Sequence, residues 1–186
     1  MKKICFFLAF FLVALSVQAQ YGFDIGRDDQ TGQIVFQGRC SFDDLNDEAS
    51  FDWMTINSSQ YTPDAATVEE LKKLLPSCEL VIFMGTWCDD THMLLPKLYK
   101  TMLLSRCFTN YKMYGVNRDK KSNKNEQEQY KLVHVPTVIV LKNGKELGRV
   151  VETTKVSIEK DLLAIAQKGG TDGAPAPESK EEADGE

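Results

Sequence analysis

Residues 79–96 read ELVIFMGTWCDDTHMLLP. Leu80 to Met84 are all apolar, with no alternation of polar residues. A short run of this kind, closed by turn residues, suits a strand buried on both faces of a sheet. Gly85 and Thr86 end it, and Asp89 and Asp90 open a helix, where two acids complement the positive end of the dipole. The helix pattern runs over 89–105 and contains Pro96. Cys88 therefore falls where sheet stops and helix starts. The unpaired N–H groups of a first helical turn favour a thiolate there, and the thiolate is the form that attacks disulfides. The plain alternative is a small, buried, apolar residue, as most free cysteines are. The preceding Gly-Thr-Trp and the following helix argue for the functional reading.

Working outward, 65–75 has the helical spacing Val68, Leu71, Leu74, Leu75, with Asp64 as its cap. Ser41, with Asp44 three residues on, caps a short helix over 41–46. Strands are expected at 33–37, 79–84, 112–116, 137–141 and 146–151, the last two joined by Asn143-Gly144, a strong hairpin signal. Helices are expected at 125–132 and 158–167. Residues 20–32 read as a loose lead-in, and 50–63, rich in aromatics but aperiodic, carry no assignment. The order gives a βαβ half followed by a ββα half, an α/β sandwich with a mixed sheet.

Two motifs then carry a resemblance. GTWCDDTHMLLP is similar to the active-site segment of the thioredoxin family, a strand ending in Trp-Cys-x-x-Cys before a helix with a proline. Val135-Pro136-Thr137 before an apolar strand, then Lys142-Asn143-Gly144-Lys145, resembles that family's cis-proline strand and hairpin. The similarity covers roughly residues 68–167, and more narrowly the chain resembles exported thioredoxin-family proteins of Gram-negative bacteria. It implies a thioredoxin-like three-layer sandwich with a mixed central sheet and flanking helices, plus an N-terminal extension. It also implies that Pro136 is cis and lies against Cys88, that Trp87 shields the sulfur, and that the backbone of Val135 pairs with an extended substrate.

The departures narrow the chemistry. Thr91 stands where the family has its second, resolving cysteine, and Ile82 where it usually has a buried aspartate. A dithiol that closes its own disulfide cannot form at this motif. A lone Cys88 instead holds a mixed disulfide until an outside thiol releases it, which suits isomerisation or thiol capture. The Thr91 hydroxyl is a candidate hydrogen-bond donor to the sulfur anion, while Asp89 and Asp90 repel a thiolate. His92, one helical turn from Cys88, and His134, two residues before Pro136, are the only histidines and are candidate acids or bases. Their plain reading is exposed polar residues. Two alternatives stand beside the thiol–disulfide reading: a non-catalytic binding module using the same groove, and a copper or zinc carrier with Cys88, His92 and His134 as ligands. The favoured reading needs no cofactor and no metal.

The ends of the chain bear on location. Lys2 and Lys3, an uncharged apolar run from Cys5 to Val17, and Val17-Gln18-Ala19 form the three parts of a secretory signal peptide over 1–19. The run is too short for a membrane span. An exported protein, periplasmic or secreted, is expected, organised as an extension over 20–63, a thioredoxin-like domain over 64–168 and a disordered tail over 169–186. The tail has six acids against one lysine and no aromatic residue. The net charge is −5 and the longest basic cluster is Lys120-Lys121 with Lys124, which excludes a nucleic-acid surface. Expected partners are cysteine-containing exported proteins or small thiols. Beyond Cys5, the cysteines are Cys40, Cys78, Cys88 and Cys107. In an oxidising compartment some may pair, and sequence does not choose among the pairings.

Overall fold

The structure, a computed structural model, describes residues 22–108 and 110–169. The expected signal peptide and nearly all of the expected acidic tail lie outside the described residues. Among the described residues no helix is long and apolar enough to cross a membrane.

Six strands form one sheet: β1 (Phe23–Arg27), β2 (Ile34–Cys40), β3 (Glu79–Met84), β4 (Tyr111–Gly115), β5 (Thr137–Lys142) and β6 (Lys145–Val151). Their spatial order is β1-β2-β4-β3-β5-β6. The β3–β4 pair is parallel and the other pairs are antiparallel. Parallel pairing requires a crossover, here α4 (Asp89–Ser105). The remaining helices are α1 (Phe42–Asp47), α2 (Asp52–Gln60), α3 (Ala65–Leu74), α5 (Glu126–Gln129) and α6 (Ile158–Lys168).

Local chemistry sets the boundaries where the sequence speaks clearly. Ser41 and Asp44 form a complete capping box on α1, and Asp64 accepts from the Thr67 N–H at 2.8 Å at the start of α3. Asn143 and Gly144 both take positive φ in the β5–β6 turn.

Two expectations need correction, and one unassigned segment takes shape. Residues 20–32 are not a loose lead-in, because Phe23–Arg27 pairs with β2 and adds an edge strand. That strand has only Phe23 buried, so it carries no alternating apolar signal. The segment 50–63 contains a 3-10 turn and then α2, whose sequence DWMTINSSQ has almost no apolar stripe. The helix expected over 125–132 shrinks to the four residues of α5.

The sheet separates two cores. The larger holds Leu80, Ile82, Met84, Met113, Val138 and Val140 against α1–α4 and α6. The smaller holds Val81, Phe83, Tyr114, Val116, Ile139 and Leu141, covered by loop residues, Tyr130 and Leu132. Ile82 is fully buried in the larger core. An aspartate there would be a charge sealed among apolar groups. Cys40, Cys78 and Cys107 are also in the larger core, whereas Cys88 packs at the edge of the smaller. All four are free thiols. Burial pushes the Cys40 thiol up to about 12 and raises that of Cys107, so both stay protonated at neutral pH.

Candidate active site

Cys88 is the N-cap of α4 and is half-buried. Its backbone turns out of β3, with its N–H donating to the Gly85 carbonyl at 2.9 Å and its own carbonyl accepting from the His92 N–H at 3.2 Å. Its thiol donates to the Val135 carbonyl at 3.4 Å. The Val135–Pro136 peptide bond is cis. Cys88, Val135 and Pro136 thus meet across 47 residues of chain. Both Val135 and Pro136 are buried, so the sulfur sits against a fixed backbone.

Trp87 packs in the same small core as Cys88. Its indole N–H donates to the Val116 carbonyl at 2.8 Å. A Cβ on Gly85 would lie 2.6 Å from the indole, so only glycine lets the ring fold back over this turn. The guanidinium of Arg118 stands 4.8 Å from the indole centroid. It is held there by Asp28, through Nε to Oδ1 at 2.6 Å and Nη2 to Oδ2 at 2.9 Å. Asp28 belongs to the β1–β2 turn. It also accepts from the Thr31 N–H at 2.9 Å and the Thr31 hydroxyl at 2.7 Å. The Asp28 carboxylate is 3% exposed. The bidentate pair with Arg118 holds it well below the usual carboxylate range.

The other expected site residues are placed as follows. Thr91 is fully buried, and its hydroxyl oxygen accepts from the Gly85 N–H at 3.3 Å. It braces the turn beneath Cys88, pointing inward from the first turn of α4, and makes no hydrogen bond to the sulfur.

His92 is clamped. Its Nε2 donates to the Thr86 carbonyl at 2.8 Å, and its ring stacks on Trp53 of α2 at 4.3 Å between centroids. Pro96 has no N–H, which leaves the His92 carbonyl without its partner one turn on. The Asn57 side-chain amide fills the gap at 2.9 Å. His134 is half exposed and pairs through Nδ1 with Glu152 at 3.2 Å. Among the described residues, no three His, Cys, Asp or Glu side chains are gathered as a metal site. Each histidine ring is engaged elsewhere, His92 with Thr86 and Trp53 and His134 with Glu152.

Sequence reasoning missed Arg118, Asp28, Trp53 and Asn57. Arg118 and Asp28 are 90 residues apart and belong to no motif. Trp53 and Asn57 lie in the unassigned aromatic segment. The one available signal was Pro96, which announces an orphaned carbonyl but not the residue that satisfies it.

The Thioredoxin family model matches residues 63–164. A thioredoxin from Echinococcus granulosus is 33% identical over 84 residues, covering 45% of this chain and 74% of that protein. Among solved structures, a protein of unknown function from Pseudomonas aeruginosa aligns with a TM-score of 0.41 at 21% identity, covering 64% of this chain and 71% of the other. An HIV epitope scaffold aligns at 0.45 and 18% identity, covering 70% and 90%.

Proposed function

The chain belongs to the thioredoxin family, and from that premise we propose that it is a thiol–disulfide exchange protein of monothiol type with Cys88 as its nucleophile. The observation that carries this reading is the half-buried sulfur at a helix N-cap, in contact with the Val135 carbonyl beside a cis-proline. The balanced step is an exchange. The Cys88 thiolate attacks one sulfur of a substrate disulfide, a new S–S bond forms, the old one breaks, and the departing thiolate takes a proton from solvent. A second thiol, from the same substrate or a small-molecule pool, then attacks the mixed disulfide and returns Cys88 to its starting state. No electrons accumulate on the protein.

Thr91 and Ile82 support the monothiol form. They replace a resolving thiol and a proton-transferring acid with a buried hydroxyl and a buried hydrocarbon. Cys40, Cys78 and Cys107 lie in the other core, so no described cysteine is placed to resolve Cys88. Trp87, Val135 and Pro136 are proposed to form the wall against which substrate docks. Thr91 is proposed to act by supporting the turn. The sequence of residues 1–19 supports export, with periplasmic or external cysteine-containing proteins or small thiols as substrates. The layout of extension, thioredoxin-like domain from 64 to 168 and acidic tail completes the reading.

The test is capture in the native host. Wild-type protein is expected to yield mixed-disulfide adducts through the Cys88 peptide, and Cys88→Ser to yield none. The same adducts from both would sink the reading. Adducts absent from both, with intact partners still bound, would favour the non-catalytic binding module.

A further inference from the structure

The turn that carries Cys88 is tied at each of its four residues. The Gly85 carbonyl accepts from the Cys88 N–H at 2.9 Å, and the Gly85 N–H donates to Thr91 at 3.3 Å. The Thr86 hydroxyl donates to the Ile34 carbonyl of β2 at 2.8 Å. The Trp87 indole donates to the Val116 carbonyl at 2.8 Å. His92 takes the two carbonyls on either side of Trp87. Its ring donates from Nε2 to the Thr86 carbonyl at 2.8 Å, and its backbone N–H donates to the Cys88 carbonyl at 3.2 Å. A carbonyl only accepts, so Nε2 keeps its hydrogen and a further proton goes to Nδ1. The bond to Thr86 therefore survives titration of the ring. Trp53 stacks on that ring at 4.3 Å between centroids, and Asn57 donates to the His92 carbonyl at 2.9 Å. Thr86 is 1% exposed, so without the ring its carbonyl is a buried acceptor left unpaired. The turn must then shift to find another donor, and the sulfur, 3.4 Å from the Val135 carbonyl, shifts with it.

We propose that His92 is a positioning residue for Cys88: clamped by Trp53 and Asn57 of α2, it fixes the sulfur-bearing turn through the Thr86 and Cys88 carbonyls and exchanges no proton with the sulfur. The proposal rests on the thiol–disulfide reading given above and adds a role for the segment before residue 64. The ties from Ile34, Trp53 and Asn57 all cross from that segment to residues 86–92. Attack on a disulfide needs the sulfur aligned with the S–S bond that it breaks. A sulfur on a loosened turn meets that geometry less often.

The probe is oxidised glutathione, and the measurement is the rate at which Cys88 of the full chain forms a mixed disulfide, followed by mass. The Cys88 thiolate attacks one glutathione sulfur, a protein–glutathione S–S bond forms, and the other glutathione leaves as a thiolate. His92→Phe keeps a ring for Trp53 and loses the donor. It is expected to slow the reaction by about tenfold at pH 7. His92→Gln keeps a donor near the Nε2 position and does not titrate, and is expected to recover most of that rate. Equal losses in the two variants overturn the proposal in favour of proton exchange by the ring. An unchanged rate in folded His92→Phe also overturns it. A role in stability alone lowers the urea midpoint and leaves the reaction of the folded chain as it was. Should His92→Phe fail to fold, Trp53→Leu removes the stack, keeps the donor and is expected to lose roughly threefold. An unchanged rate there overturns the proposal. A wild-type chain whose Cys88 forms no adduct would overturn the exchange reading itself. A reactive wild type with unmoved variants overturns the His92 proposal alone.

Discussion

The two sides of Cys88 are built from different materials. On the cis-proline side the sulfur meets a backbone carbonyl, and His134 is half exposed with one exposed partner. On the Trp87 side three groups are gripped. Arg118 is forked to Asp28, His92 is stacked on Trp53 and bonded to Thr86, and the carbonyl orphaned by Pro96 is met by Asn57. Asp28, Trp53 and Asn57 all come from residues 22–60. The comparison teaches that the first side is built by the short Val135–Pro136 segment, and the second by residues far apart in the chain. A surface made of backbone makes few side-chain demands. A gripped side chain holds one geometry.

The largest departure from symmetry should appear at the Asp28–Arg118 pair. Asp28 is held below its ordinary value in the folded state. Its contribution is therefore complete at neutral pH, begins to fade as the pH falls through the unfolded value near ~4, and is gone below the folded value. Urea unfolding of wild type and Asp28→Asn from pH 7 to 2 should show curves that lie apart at neutral pH and converge in acid. Parallel curves would mean the pair adds nothing.

A smaller effect is expected at Asn57. Asn57→Leu leaves the His92 carbonyl unmet, which costs about 1–3 kcal/mol. Urea unfolding at pH 7 checks it, and an unchanged midpoint would show that the α2–α4 contact does not stabilise the site. The smallest effect is expected on the opposite side. His134→Gln breaks an exposed pair and should change stability by less than about 0.5 kcal/mol. A loss as large as that of Asn57→Leu would erase the contrast between the two sides.

The strand through Met84, the Cys88 N-cap, the helix to Ser105 and the β5–β6 hairpin were legible because each is written in adjacent residues. So were the caps at Ser41 and Asp64. β1 and α2 were not, since an edge strand with one buried residue and a helix without an apolar stripe leave no periodic trace. The expected helix over 125–132 failed for a related reason. Asn125 and Lys131 adopt left-handed φ at its two ends, which confines it to one turn.

Sequence by itself determined the Cys88 junction and the absence of a partner cysteine at position 91, because strand burial, helix capping and turn chemistry act over a few residues, whereas the facing of Pro136 onto Cys88 was implied only by the family resemblance. Tertiary structure alone decided that Asp28 reaches Arg118 and that Trp53 and Asn57 reach His92. Those contacts join residues 35 to 90 positions apart. They form only once β2 pairs with β4 and α2 packs on α4, and no local pattern encodes which distant side chains then coincide.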